Sequence, residues 1–520
     1  MVGSSASRKV TDRPAPTTPL LYTAGMTTRV VRGGLWNLGG QGVTLLASFL
    51  ATPFTVRLLG AEAYGVLAVI NTLIAYIWFS DLGVGTASTR FGAEAHARND
   101  DEGEAAVVWT SLLVGFVPTA LAALALALAA GPMVEHALRL PAHLHWEATI
   151  ALQLATLGYV ARAIAGVLNT PQLVRLRQDL YTLVTAGTAT AQVVLVPIAL
   201  LLGGGLIAAA GVIAGVSVAT IFIHAAISSR LQPRLLRPRI DTTLLSPIIR
   251  FGGGVVISAL ASVILANSER LLLARYASAS AVAYYAVAFT LASLLTAVPQ
   301  AMSQSLLPAF SGLQAASRRE QLQQLYTRAI RGNLLVIAPA AFMLCILAEP
   351  FFTLWAGPEY GRESVWPFYV LAAGVVLNTL EIIPYILLIA LGKSDLLARL
   401  YLIELLPYLL CAALLVAWFG AVGAALAWSL RILIETPFMI LAARRVSGLA
   451  FSPLPAGRFG YILAVIALLL PAVLFSAVTS SLPLQIGVGI ASLLIYGSLI
   501  WTQVLTREER AWVNSVRQFR

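Results

Sequence analysis

Stretches of about twenty apolar residues recur along the whole chain with short polar breaks between them, and this repetition limits the fold more than any motif does. A helix of that length crosses the hydrocarbon of a bilayer with every backbone polar group satisfied internally. Such segments fall near 34–56, 64–84, 105–130, 147–169, 180–202, 205–226, 251–275, 279–303, 331–355, 364–391, 396–419, 421–443, 458–478 and 483–503. With 59% hydrophobic and only 11% charged residues over 520 positions, little is left for soluble domains, whose charged content is about 25%. The chain reads as an all-α polytopic membrane protein with about 14 transmembrane helices.

Only "LLGGG" separates the fifth span from the sixth, so the basic residues provide an independent check on the count. Cytoplasmic loops are enriched in Lys and Arg. With 14 spans, 27 of the 34 basic residues fall on the side carrying both termini, and only Arg57, Arg139, Arg275 and Arg362 on the other. Both termini are therefore expected in the cytoplasm. Arg162, Arg270 and Arg431 remain inside spans. The net charge of +11 is spread over eight loops, which fits topology and contact with anionic membrane lipids and argues against a nucleic-acid partner. Cys345 and Cys411 both lie in spans, where neither a disulfide framework nor a Cys-rich metal site is plausible.

The organisation expected from this pattern is a disordered cytoplasmic tail at 1–28, a first lobe of six helices at 29–228, a basic cytoplasmic linker at 229–250, a second six-helix lobe at 251–445, two appended helices at 446–505 and a cytoplasmic tail at 506–520. Met26 is available as a start as well as Met1. The two lobes are suggested by a weak echo. "PFTVRLLGAEAYGVLAVINTL" and "RLLLARYASASAVAYYAVAFTL" each carry Arg-Leu-Leu, a small-residue turn, Tyr and a second apolar span. Repeats of this kind place a binding site between pseudo-symmetric halves. Interior prolines at Pro299, Pro339, Pro384, Pro407 and Pro437 offer kinks.

Enzyme signatures are missing from the sequence. "LIALGKSD" mimics the end of a phosphate loop, but the required first glycine is Leu387, so a turn between two spans is expected. External loops reach about 16 residues, too short for the chemistry domains of membrane glycan polymerases and ligases. No cofactor is expected beyond a coupling proton or sodium ion. What remains is movement of something across the bilayer.

Polar side chains facing lipid are costly, so polar positions at helical spacing mark a face turned to protein or water. Asn37, Gln41, Thr44, Ser48 and Thr52 form one such stripe, and Ser293, Thr296, Gln300 and Ser303/Gln304 another. Packing through Ser and Thr is the plainer explanation of such stripes; Asn and Gln on the same face favour a wet cavity. Asp81 closes the second span and Arg90 follows it. Glu381 shares a face with Asn378 and Tyr385, and Glu404 with Tyr401 and Tyr408. Arg431 and Glu435 are four apart, close enough to pair. Glu269 and Arg270 sit side by side in "LANSERLLLARY", about 100° apart on a helix, so one can face a cavity while the other meets a neighbouring helix.

The stretch "GGLWNLGGQGVTLLASFLATPFTVRLLGAEAYGVLAVI", followed by "SDLGVGTASTRFGAEAHARND", resembles the polysaccharide-biosynthesis (Wzx-like) flippases of the multidrug/oligosaccharidyl-lipid/polysaccharide exporter superfamily. The likeness is firmest over 30–105. It implies that a glycan linked to polyprenyl pyrophosphate is turned from the cytoplasmic to the periplasmic leaflet of the inner membrane by alternating access. Polysaccharide polymerase and other glycan-assembly proteins would be partners. The peptidoglycan-precursor branch carries arginines in the first span, and none stands here between Arg32 and Arg57. On this reading Asn37, Gln41 and Gln300 contact sugar, and Arg270, Arg431, Arg90 and Arg57 contact phosphate. Asp81, Glu269, Glu381, Glu404 and Glu435 bind coupling ions or balance charge. An ion-coupled multidrug exporter and a membrane scaffold for assembly enzymes are the competing readings.

Overall fold

The computed structural model describes residues 20–81, 83–449, 473–474, 479, 481–504 and 510. The thirteenth expected span and the C-terminal tail lie almost wholly outside these, as do residues 1–19 and the side chain of Asp81. Among the described residues every regular element is helical. The long helices are α1 (Leu20–Ile77), α3 (Asp101–Pro132), α4 (His145–Leu168), α6 (Gln178–Leu201), α7 (Leu206–Leu231), α8 (Leu245–Tyr276), α11 (Arg319–Ile346), α14 (Val365–Ala390), α15 (Ser394–Ser447) and α16 (Leu482–Leu499). Shorter ones are α2 (Val84–Ala97), α5 (Thr170–Val174), α9 (Ala279–Leu294), α10 (Ala297–Ala315), α12 (Ala348–Trp355) and α13 (Pro358–Glu363).

Nine helical segments among the described residues are long and apolar enough to cross a membrane. Two of them hold two of the expected spans each, because α1 bends at Gly60 and α15 at Gly420, both with positive φ (76° and 54°). Only glycine adopts that backbone without strain. Gly392 in the phosphate-loop mimic likewise has φ 71° and simply ends α14. α1 begins at Leu20, inside the segment expected to be a tail.

The second span differs from the sequence expectation. It breaks into a 3-10 turn at Trp78–Asp81, passes Gly83 in the left-handed region and resumes as α2 through Ala97, where a loop was expected from residue 85. α9 and α10 repeat this plan, with a break at Leu295 and Thr296. Each break falls about four and a half turns from the start of its helix. The freed carbonyls are met locally. Tyr159 of α4 donates its hydroxyl to Ile77 O at 2.9 Å and lies 2.9 Å from Ser80 Oγ. The Thr296 hydroxyl bonds Ser293 O at 2.7 Å. Pro299 sits in the first turn of α10, where its missing N–H costs least.

Packing distinguishes the two ends of the bundle. The turns at Gly60, 138–144, 277 and 356–360 feed one continuous core that draws on both halves of the chain, from Val56 and Leu144 to Ala279, Tyr360 and Val416. Alanine dominates it, as expected where helices associate by close approach without a hydrophobic drive. A Cβ on Gly65 would stand 1.8 Å from Ala279 O. The halves are also bonded there: Arg139 N to Ala274 O at 2.7 Å, Trp355 Nε1 to Phe49 O at 3.2 Å, and the Arg57 guanidinium to Leu354 O. At the opposite end the cores separate. One is built mainly from Val84, Val108, Val167 and Leu235 of the first half, joined by Ile248 at the start of α8. The other comes from Phe310, Tyr326, Leu387 and Met439 of the second.

Candidate functional site

Within the second half, charged side chains from α8, α14 and both arms of α15 converge. Arg431 lies about 16 Å along its helix from the Gly420 bend, near mid-depth of a hydrocarbon layer about 30 Å thick. Its Nη1 is 3.4 Å from Glu404 Oε1 and 3.7 Å from Glu435 Oε2, and its guanidinium stands 5.4 Å from the centre of the Tyr408 ring. The Tyr408 hydroxyl donates to Glu269 Oε1. Thr436 Oγ1 is 3.4 Å from Glu381 Oε2, and the Glu381 and Glu435 carboxyls face each other. Glu269 is 1% exposed, Glu381 6% and Tyr408 5%, so these groups are out of bulk water.

Four carboxyls thus surround one guanidinium. Arg431 Nε has no hydrogen-bond partner, and a crevice of about 500 Å³ between the two arms of α15 reaches Glu404, Arg431 and Glu435. The excess of acid is chemically matched to a proton or small cation more than to a phosphate, which like charges would repel. Arg270 does not join the cluster. It donates to Asn267 Oδ1 at 3.1 Å on its own helix and lies 5.4 Å from the Phe289 ring centre. Glu269 and Arg270 therefore point to different neighbours, as their 100° separation requires.

The first half presents mostly neutral polar groups. Asn37 and Gln41 are exposed; Thr44 Oγ1 bonds Gly40 O at 3.0 Å and lies 3.5 Å from Thr190 Oγ1. On α1 this stripe lies between Gly40, which packs on Thr182 of α6, and Phe49, whose ring stacks on Phe351 and packs at a tilt against Trp355 of the second half. The opposite arc carries Leu46 and Leu50, each 65% exposed, and suits lipid.

The other candidates are dispersed. Arg57 is at the closed end, Arg90 is an exposed i,i+4 partner of Glu94 at 3.4 Å, and Gln300 is exposed beside Thr296 at 3.3 Å. Asp81 sits in the break of the second span. Sequence reading passed over Thr436 and Asn267, although they stand one and two positions from a charged residue. It also left unassigned the pocket beside Arg162.

The fold is thus a helical membrane bundle of two halves sealed at one end, and known proteins share it. The chain superposes on the lipid II flippase MurJ in an inward closed conformation with TM-score 0.67 at 12% identity, covering 92% of this chain and 100% of that one. It superposes on an inward-facing multidrug resistance MATE family transporter of the MOP superfamily with TM-score 0.66 at 16% identity, covering 78% and 95%. Both likenesses concern fold. In sequence, residues 30–314 match the family model described as polysaccharide biosynthesis protein, and the chain belongs to that family. It is 22% identical over 427 residues, 78% of this chain and 96% of the relative, to a putative O-antigen transporter of Shigella flexneri. It is 24% identical over 247 residues, 46% of this chain and 50% of the relative, to a probable low-salt glycan biosynthesis flippase, Agl15, of Haloferax volcanii.

Proposed function

We propose that this protein is a flippase that carries a polyprenyl-pyrophosphate-linked oligosaccharide from the cytoplasmic to the periplasmic leaflet of the inner membrane for surface polysaccharide synthesis. The observation that carries the mechanism is the pairing of one shared core at the Gly60 end with separate cores at the other. A bundle packed in that way is held shut on one side and free to part on the other, which is one of the two states alternating access needs. On this reading the parting end faces the cytoplasm, an orientation supported by the basic residues of its loops.

The two halves take different parts. Asn37 and Gln41, exposed on the arc of α1 between its contacts with α6 and with the second half, supply hydrogen-bond partners for sugar hydroxyls. In the second half, Glu269, Glu381, Glu404 and Glu435 around Arg431 form the coupling unit, which exchanges a proton or cation as the halves rock. The division into a first lobe, a second lobe and two appended helices is part of this reading, supported by the repeated broken helices. Contact with a polysaccharide polymerase would fall on the lipid-facing surface.

The acidic cluster also suits the ion-coupled multidrug exporter, and one experiment separates the two. In a strain lacking the gene, the flippase reading expects lipid-linked repeat units to accumulate on the cytoplasmic face, with restoration by the full chain. Unchanged repeat units together with lost resistance to cationic drugs would favour the exporter.

A further inference from the structure

A second cavity lies in the first half, away from the charged cluster. It has a volume of about 410 Å³ and is lined in part by Asn71, Trp78, Tyr159 and Arg162, beside the break in the second span. Arg162 has neither a hydrogen bond nor an ion pair among the described residues. Snorkelling into lipid does not account for it. On α4 it follows Tyr159, Ala151 and Ala148, which are 3%, 0% and 0% exposed, at helical spacings of 3, 11 and 14. The lipid-side residues Leu157 and Trp146, 53% and 72% exposed, lie on the opposite face. The guanidinium therefore projects into the cavity. An arginine held inside a membrane span without a partner marks a functional site by default.

The other walls are suited to the same purpose. The Tyr159 hydroxyl is committed to Ile77 O and Ser80, so its ring is a fixed wall. Trp78 is 56% exposed and offers an apolar face with a polar edge. Asn71 is exposed and adds an amide. A flat aromatic surface, an amide and a free guanidinium match a sugar ring carrying a negative group, which arginine receives through two parallel hydrogen bonds.

We infer that Asn71, Trp78 and Arg162 form a subsite that receives an anionic part of the cargo, its phosphate or an acidic sugar, in the first half of the molecule. The identity of that cargo rests on the flippase reading; the existence of the subsite does not. The test uses the purified full-length protein in lipid nanodiscs and titrates geranyl pyrophosphate, glucuronic acid and neutral glucose. Arg162→Gln is expected to weaken one of the anionic probes about tenfold or more while Arg162→Lys keeps most of the affinity. Loss confined to geranyl pyrophosphate assigns the site to the linker, and loss confined to glucuronic acid, deepened by Trp78→Ala, assigns it to the glycan. Arg162→Gln protein that elutes as a normal monodisperse peak and binds both anions as the wild type does would overturn the subsite, as would wild-type protein that binds neither. If the gene deletion leaves lipid-linked repeat units unchanged while the Arg162 effect persists, the flippase reading fails and the anion subsite stands.

Discussion

The two halves of the molecule treat polarity in opposite ways. In the second half, Glu269, Glu381, Glu404, Glu435, Tyr408 and Arg431 gather in one mutually interacting cluster. In the first, Asn37 and Gln41 on α1 are exposed, and Arg162 has no hydrogen bond or ion pair among the described residues. Buried charges that satisfy each other are structural and titratable at once; open neutral groups cost little and are free to meet a ligand. The contrast teaches that charge count alone does not locate a cargo site. The half richer in ionisable groups is the one with less to offer an anion.

Six substitutions bear on this contrast. Arg431→Leu should act most strongly, because it leaves four carboxyls facing one another. Removing one partner of a buried pair costs about 3–5 kcal/mol, and both the unfolding midpoint in detergent and the restoration of glycan export should fall. A variant as stable and active as the parent would dissolve the network. Gly65→Val tests the sealed end. A Cβ there meets Ala279 O at 1.8 Å, and overpacking costs about 1–3 kcal/mol. Cysteines placed on either side of this contact should cross-link less readily than in the parent, and equal cross-linking would show that the end is not tightly closed.

Tyr408→Phe and Glu269→Leu come next. Each removes one side of a buried hydrogen bond and should cost about 1–3 kcal/mol. Measured together, their effects should fall well short of the sum, since they break the same contact; additivity would mean the two groups act separately. Asn37→Ala and Gln41→Ala should be smallest in stability, within about 0.5 kcal/mol, yet lower export severalfold. Unaltered export in the double variant would remove the polar stripe from the cargo path.

Much of the frame was legible because a bilayer imposes its own thickness on the sequence. The turns at Gly60 and Gly392, and the i,i+4 pairing of Arg431 with Glu435, follow from local spacing. Glu269 with Tyr408 does not, because the partners are 139 residues apart and only tertiary packing brings them together. The break at Trp78–Asp81 was equally hidden. Its signals, Asp81 and Gly83, also fit a helix that simply ends, and α2 carries too many polar residues to read as the rest of a span. That Arg162 lacks a partner among the described residues is likewise a property of the fold alone.

The most direct measurement places the purified protein in liposomes carrying polyprenyl-pyrophosphate-linked oligosaccharide in both leaflets and follows its exposure to a membrane-impermeant glycosidase. With the parent protein, the glycan protected inside should become cleavable over time, and with Arg431→Leu it should stay protected as in empty liposomes. Protection that persists with the parent protein, or release that is equally fast with the variant, would contradict the account.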